Sequence, residues 1–330
     1  MDEIPVIDVS GFEAGARDAV AALDLACREV GFFCVTGHGV APGLIAALRR
    51  ATIEVFAQPA AVKARLRVTP ENYRGYIPFG FFTPNAAPGA PDRYEGYKLH
   101  LEVDPDDPIC KACSLYGPNL WPESLPGLKP VVLAYWRALD GLTDRLLRGF
   151  ALALRLQPGV FRPAFEAPLT GMTLLHYPTA TGAGFGIHPH KDSSALTILY
   201  PDALGGLLTR SRRGQWIEVS APEGAFVVNI GDVMEHWSGG HYLSTPHKVV
   251  TLSERFSFPY FATPRYDRLV EPLVPPVAGY TRPPRLMETW QREIFRSNWP
   301  GTASLSGAFA PGVDDPARPS AFKTREKDPS

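Results

Sequence analysis

Three side chains able to bind a metal fall within five positions of the stretch GIHPHKDSSALTILYP, residues 186–201: His188, His190 and Asp192. Alternate side chains of an extended strand share a face, so all three would point the same way. They cannot all reach one ion, because His188 and Asp192 stand about 13 Å apart along a straight strand. Either His188 with His190, or His190 with Asp192, can converge. Pro189 donates no ladder hydrogen bond and suits the entrance of a strand. That places His190, Lys191 and Asp192 at the start of the strand running into ALTIL, with His188 outside it as a supporting or loop residue. Taken alone, the segment is equally well read as a polar strand entrance without a metal.

A third ligand has to come from a neighbouring strand. His38, His100 and His176 are each the lone ionisable group of their local pattern, and His236 and His241 sit in the loop-like EHWSGGHYLS. His247 differs, since it opens the β-branched run HKVVTL and is followed closely by RFSFPYF. Two histidines and one carboxylate on a rigid β scaffold make a facial triad that leaves positions on Fe(II) open to a co-substrate and O2. Structural zinc usually takes four closed ligands, so a three-residue set points to catalysis.

An arginine then suggests the co-substrate. If HKVVTLSERFSF is a hairpin turning through Leu252, Ser253 and Glu254, then Thr251 faces Arg255. His247 then shares a face with Arg255 and Ser257. Arg255 would lie about 13 Å along that ribbon from His247. A short dicarboxylate chelated at the iron would span the gap. Guanidinium grips a carboxylate through two parallel hydrogen bonds, and Ser257 adds a third donor. The ligand of that description is 2-oxoglutarate.

These residues need a β scaffold, and the chain offers one. From Leu169 to Phe261 short β runs alternate with turns: MTLLHYP, ALTILYP, GGLLTR, QWIEV, AFVVNIGD, HKVVTL and RFSFPYF. Such spacing predicts a barrel or double-sheet jelly roll. Before it come two short strands, IPVIDVS and FFCVTG, and helices through RDAVAALDLACREVG, APGLIAALRRATIEVF and about 130–156. A turn-rich stretch from Tyr73 to Pro126 is too long for an ordinary loop, which marks it as functional or partly structured. A last helix, RLMETWQREIFRSNW, precedes a Pro- and charge-rich tail. The expectation is a mainly β domain with flanking α over residues 1–300: an N-terminal helical region to about 168, a jelly-roll core over about 169–262 and a C-terminal helix over about 284–299. The tail, 307–330, reads as poorly ordered. The sequence GAGFG at 182–186 lacks a complete GxGxxG and leads into a strand, so it is no dinucleotide loop.

Composition narrows the function classes. A net charge of −1 leaves no basic footprint for nucleic acid or an anionic membrane, and no apolar stretch reaches the length of a span. The acidic start MDEIPVIDVS does not resemble a signal peptide. Four cysteines include one CxxC, Cys110/Cys113, with no second pair nearby, so ordinary thiols are expected. A cytoplasmic monomer follows as the expectation.

Together the motifs resemble the iron- and 2-oxoglutarate-dependent oxygenases of the isopenicillin N synthase-like family. HKDSSALTIL is similar to that family's HxD motif, STPHKVV to its distal histidine segment and RFSFPYF to its RxS strand. GGLLTR, QWIEV and FVVNIGDVMEHWS lie between them in the expected order. IPVIDVS, ACREVGFFCVTGHGV and NLWPESLPG are similar to its N-terminal region, so the likeness covers roughly residues 4–300. The resemblance implies Fe(II) ligation by His190, Asp192 and His247, and 2-oxoglutarate binding by Arg255, Ser257 and Tyr177. It implies O2 activation with release of succinate and CO2, and hydroxylation, desaturation or ring closure of a small-molecule substrate. Leu175 departs from the family pattern, which has an asparagine there, and Lys248 replaces a frequent arginine. A 2-oxoglutarate-independent iron oxidase and a non-catalytic binding protein on the same barrel are the competing expectations. Substrate contacts are expected from residues 73–100, through Tyr73, Arg74, Phe79, Phe81, Phe82 and Lys98, with His100 beside Lys98; the aromatics suit an apolar wall and the charges a polar or carboxylate-bearing substrate. The C-terminal helix around Trp290, Phe295 and Trp299 is expected to act as a lid.

Overall fold

A computed structural model describes residues 3–12, 14–82, 91–179, 185–202, 204–250 and 253–299. The expected tail, most of GAGFG, and Thr251 and Leu252 lie outside the described residues. The N-terminal third gives β1 (Val6–Asp8), α1 (Arg17–Glu29), β2 (Phe32–Thr36), α2 (Pro42–Phe56) and α3 (Ala60–Arg65). The turn-rich stretch supplies β3 (Gly75–Ile77), β4 (Glu95–His100) and the short α4 (Pro108–Ala112), before the long α5 (Leu128–Ala153). The β-rich half contains β5 (Gly171–Tyr177), β6 (Ile187–His190), β7 (Leu196–Leu199), β8 (Leu207–Arg210), β9 (Trp216–Glu218) and β10 (Phe226–Ile230). The short α6 (Asp232–Trp237), β11 (His247–Val249), β12 (Arg255–Ser257), β13 (Tyr260–Ala262) and, after a further pair of short strands, α7 (Met287–Asn298) complete the order.

Two sheets make the jelly-roll core, and the further pair of short strands forms a separate two-stranded sheet. The major sheet runs β1-β2-β10-β7-β13-β5-β4-β3, with β12 also on β5, and the minor sheet runs β6-β11-β8-β9. The N-terminal region is therefore not only helical. Its four strands extend both ends of the major sheet, because β2 pairs with β10 and β4 with β5.

Period-2 alternation divides every strand of the major sheet between two faces. Phe33, Val35, Leu174, Ile198, Val228, Phe256 and Tyr260 belong to one core with residues of α1, α2 and α5. Leu142, Leu146 and Phe150 of α5 follow helical spacing into that core, as do Leu23, Ala26 and Cys27 of α1. The intervening residues face the minor sheet. Phe32, Cys34, Leu175, Tyr177 and Val227 pack with Leu207 and Val249 from that sheet in a second cluster. Between the sheets, beside this second cluster, lies a cavity of about 520 Å3.

Two details differ from the expected strands. RFSFPYF is not one strand, because Pro259 has no amide to donate and separates β12 from β13. Both halves still lie along β5, with Arg255 opposite Tyr177 and Tyr260 opposite Met172. Nor is HKVVTLSERFSF a hairpin. β11 pairs with β6 and β8 in the minor sheet, whereas β12 pairs with β5 in the major one, so the chain crosses between sheets here.

Candidate metal and co-substrate site

His190, Asp192 and His247 come together in the wall of the cavity, with one donor atom from each lying within 4.8 Å of the others. The register explains the two histidines: His190 and His247 are direct cross-strand partners of β6 and β11, and their ring centroids stand 4.2 Å apart. Asp192 is not in a strand. It occupies the turn that carries the chain from β6 in the minor sheet to β7 in the major one, so HKD and ALTIL are not continuous. Its carboxylate oxygens lie 3.7 Å from Nε2 of each histidine. His188 lies inside β6 rather than outside it. Its Nδ1 meets Asp92 Oδ1 at 2.7 Å, and its backbone amide donates to the same oxygen.

The surroundings fix which atoms face one another. His190 Nδ1 donates to the His188 carbonyl at 2.8 Å, and His247 Nδ1 to that of Thr245 at 3.3 Å, which leaves both Nε2 lone pairs available. Thr197 Oγ1 at 2.5 Å and Asn229 Nδ2 at 2.8 Å both donate to Asp192 Oδ2, leaving Oδ1 open. Burial by itself would raise the Asp192 pKa. The neighbouring His247 and His190 and the two hydrogen bonds outweigh it and hold the carboxyl below its usual range. Burial first, and then His190, push His247 down to about 4, against the pull of Asp192. At neutral pH the pair is thus a carboxylate beside a neutral imidazole, the protonation state a divalent cation requires. Two open Nε2 atoms and one open carboxylate oxygen fit a three-ligand iron centre.

The turn bearing Asp192 is held from behind. The Asp232 amide donates to the Asp192 carbonyl at 2.8 Å as α6 begins. A Cβ at Gly231 would lie 2.1 Å from the Ser194 carbonyl oxygen, so only glycine permits this approach. Lys191 points toward the buried Glu235 of α6, with Nζ 3.9 Å from Oε2.

Arg255, Ser257 and Tyr177 meet in the same cavity. Arg255 is 3% exposed, donates from Nη1 to the Gly205 carbonyl at 2.5 Å and lies 5.3 Å from the centre of the Tyr177 ring opposite it. Its buried Nε has no partner among the described residues. Burial pushes the Tyr177 phenol up, against the Arg255 charge, and keeps it a proton donor. Leu175, opposite Ser257 in the register, adds an apolar patch to the wall.

Of the expected substrate contacts, Tyr73, Phe82 and Lys98 line the cavity and three others do not. Arg74 turns away, 5% exposed, and donates to the Leu115 carbonyl. Phe79 is 54% exposed to solvent. Phe81 packs on Phe82 and Trp299. None of the three lies in a strand, so no alternation fixes which way they face. In α7, Gln291, Ile294, Phe295 and Asn298 line the cavity at one-face helical spacing, and Phe295 stacks on Tyr73 at 4.1 Å. Trp290 instead sits in the core, 2% exposed. Sequence reasoning missed Thr197 and Asn229. The signal was present, since each is a polar residue in an otherwise apolar strand, LTIL and FVVNI.

Comparison with known proteins gives concordant matches. Residues 4–124 match the model of the non-haem dioxygenase in morphine synthesis N-terminal family, and residues 170–264 that of the 2OG-Fe(II) oxygenase superfamily. The chain is 33% identical over 296 residues to homoarginine-6-hydroxylase 2-ODD-233 of Oryza sativa, covering 82% of this chain and 88% of that one. It is 35% identical over 284 residues to a 2-oxoglutarate-Fe(II) type oxidoreductase of Aspergillus fumigatus, covering 81% and 84%. Among solved structures, JOX2 in complex with 2OG, Fe and JA superposes with a TM-score of 0.74 at 30% identity, over 88% of this chain and 84% of that one.

Proposed function

Because the chain belongs to the 2OG-Fe(II) oxygenase superfamily and is an Fe(II)- and 2-oxoglutarate-dependent oxygenase of small molecules, we propose that His190, Asp192 and His247 hold its iron and that Arg255, Ser257 and Tyr177 hold its 2-oxoglutarate. The observation that carries this assignment is the convergence of three donor atoms within 4.8 Å in a cavity that also contains a buried arginine. When bound, iron and 2-oxoglutarate together supply O2 activation, with 2-oxoglutarate oxidised to succinate and CO2 while a substrate C–H bond is oxidised.

The protein supplies position and dryness. The two histidines and the Thr197 and Asn229 donors keep Asp192 ionised, and the donors occupy Oδ2 and leave Oδ1, 3.7 Å from His190 Nε2, open to the iron. The Arg255 fork fixes the far carboxylate of 2-oxoglutarate, and Ser257 and Tyr177 add donors beside it. Tyr73 and Phe295, stacked on each other in the cavity wall, exclude water from the oxidation. β1 and β2 extend the same sheet as β5 and β7, which supports one domain over residues 1–300. No helix among the described residues is long and apolar enough to cross a membrane, which fits a cytoplasmic enzyme.

The test is anaerobic calorimetry of Fe(II) and then 2-oxoglutarate, on wild type and on Asp192→Ala. The proposal expects one iron and one 2-oxoglutarate per wild-type chain, and loss of tight iron binding in the variant. Iron retained by Asp192→Ala would remove the ligand assignment.

A further inference from the structure

Two polar side chains of the cavity wall, Lys98 and His100, take no part in the proposed iron and 2-oxoglutarate sites. They stand two positions apart on β4, so both project from its cavity face, about 7 Å apart along the strand. The backbone there is pinned. The His100 amide donates to Asn119 Oδ1 at 2.9 Å, and Asn119 Nδ2 returns a hydrogen bond to the His100 carbonyl at 2.8 Å. Opposite His100 in the register is Gly171, where a Cβ would come within 3.1 Å of Nδ1. The glycine leaves room for the imidazole.

Both side chains have hydrogen-bonding capacity to spare. His100 is 8% exposed, and its Nε2 has no hydrogen-bond partner among the described residues. A buried polar atom in that state is costly until a water or a ligand meets it. Lys98 Nζ donates to Thr173 Oγ1 at 3.2 Å and sits 4.7 Å from the centre of the Phe261 ring. An ammonium has three donors, and among the described residues no carboxylate lies within ion-pair distance of this one. Burial lowers its pKa to about 8, against the pull of Asp192.

The rest of the wall selects further. Tyr73, Phe82, Leu169, Phe261, Ile294 and Phe295 make it apolar and aromatic. Among the described lining residues the carboxylates are Asp92, engaged by His188, and Asp192, assigned to iron. A cationic head group would therefore meet Lys98 and find no unengaged carboxylate.

We infer that the substrate is a compact, largely apolar carboxylic acid whose carboxylate is held between Lys98 and His100 while its hydrocarbon body lies against the aromatic wall. This rests on the reading above that the cavity holds the substrate beside the iron. The Lys98 charge supplies most of the affinity, and the His100 Nε2 hydrogen bond fixes the orientation.

The test uses full-length protein loaded anaerobically with Fe(II) and 2-oxoglutarate. Phenylacetate, 3-phenylpropanoate and cyclohexylacetate are the probes, each compared by calorimetry with its primary amide and with the corresponding amine. At least one acid should bind tenfold or more tightly than its amide and its amine. Lys98→Met should erase that preference and Lys98→Arg should keep most of it. His100→Gln should bind the acid better than His100→Phe. Affinity for 2-oxoglutarate should stay within twofold throughout. The inference is overturned if no acid outbinds its amide, or if Lys98→Met leaves the preference intact. It is also overturned if Lys98→Met weakens 2-oxoglutarate tenfold instead, which would assign Lys98 to the co-substrate. Wild-type protein that binds no 2-oxoglutarate would bring down the underlying reading itself, a result recognisable before any acid is added.

Discussion

Replacing Arg255 with alanine should weaken 2-oxoglutarate binding by about 10- to 150-fold while leaving the iron in place. Arg255 is 3% exposed, and its Nη1 is committed to the Gly205 carbonyl at 2.5 Å. That leaves the edge formed by Nε, which has no partner among the described residues, and Nη2 for a carboxylate fork. Hydrogen bonds to a charged group contribute about 1.5–3 kcal/mol, and each ~1.4 kcal/mol is a factor of ten in affinity. Lysine at 255 should recover only part of the loss, since a single ammonium cannot form two parallel hydrogen bonds or stack on Tyr177 in the same way. Anaerobic calorimetry of 2-oxoglutarate into iron-loaded wild type, Arg255→Ala and Arg255→Lys measures the difference. A melting curve on each checks that the orphaned Gly205 carbonyl has not unfolded the sheet. Well-folded Arg255→Ala protein with an affinity within twofold of wild type would refute the reasoning.

Thr197→Val and Asn229→Ala should each reduce iron affinity about 10- to 100-fold, because each removes a donor that aims Asp192; competition against a chelator reads this, and unchanged affinity would make both donors merely structural. Phe295→Ala removes the ring stacked on Tyr73 at 4.1 Å, an interaction of about 0.5–1.5 kcal/mol. It should raise 2-oxoglutarate consumption uncoupled from substrate, whereas tight coupling in the variant would exclude α7 as the lid. Away from the cavity, Glu95 accepts hydrogen bonds from Tyr76 and Lys63 and meets His176 Nδ1 at 2.8 Å. Burial opposes ionisation of Glu95, but these partners lower its pKa from 4.5 to about 2, so its contribution is complete above 4.5 and is lost as pH falls toward 2. Burial likewise opposes the charge on His176, yet Glu95 and Glu254 raise its pKa above 6.5, so that contribution is complete below 6.5 and is lost as pH climbs through the raised value. The melting temperature of wild type minus that of Glu95→Gln should therefore peak between pH 4.5 and 6.5; a flat difference across pH 3–8, scanned at roughly half-unit steps, would contradict it.

Local pattern carried the ligand set further than it carried the architecture around it. His190 and His247 were legible because both open or close short β runs, and the register then sets them face to face. Asp192 was legible only as a neighbour of His190; its turn between two sheets depends on β7 joining β10 and β13, which no local spacing encodes. Arg255 and Ser257 were reached through a hairpin that does not form. They share the cavity because β12 alternates about Phe256, whose ring goes into the helix-side core. In the C-terminal helix Phe295 was legible as a cavity residue, whereas Gln291, Ile294 and Asn298 were not singled out and Trp290 turns into the core. Arg74, Phe79 and Phe81 were not legible, because irregular backbone has no period from which to read a direction. His100 was legible as a companion of Lys98 on the expected substrate stretch, and pairing β4 with β5 gave it a fixed place beside Gly171 and Asn119.

The central claim is that one iron sits among His190, Asp192 and His247 and is needed for 2-oxoglutarate to bind tightly. The most direct measurement titrates 2-oxoglutarate anaerobically into wild type, His188→Ala and His247→Ala, each with and without one equivalent of Fe(II). Wild type and His188→Ala should bind one 2-oxoglutarate per chain, tightly only when iron is present, because His188 is engaged with Asp92 rather than with the triad. His247→Ala should show weak, iron-independent binding. Iron-dependent binding that survives in His247→Ala and disappears in His188→Ala would contradict the account.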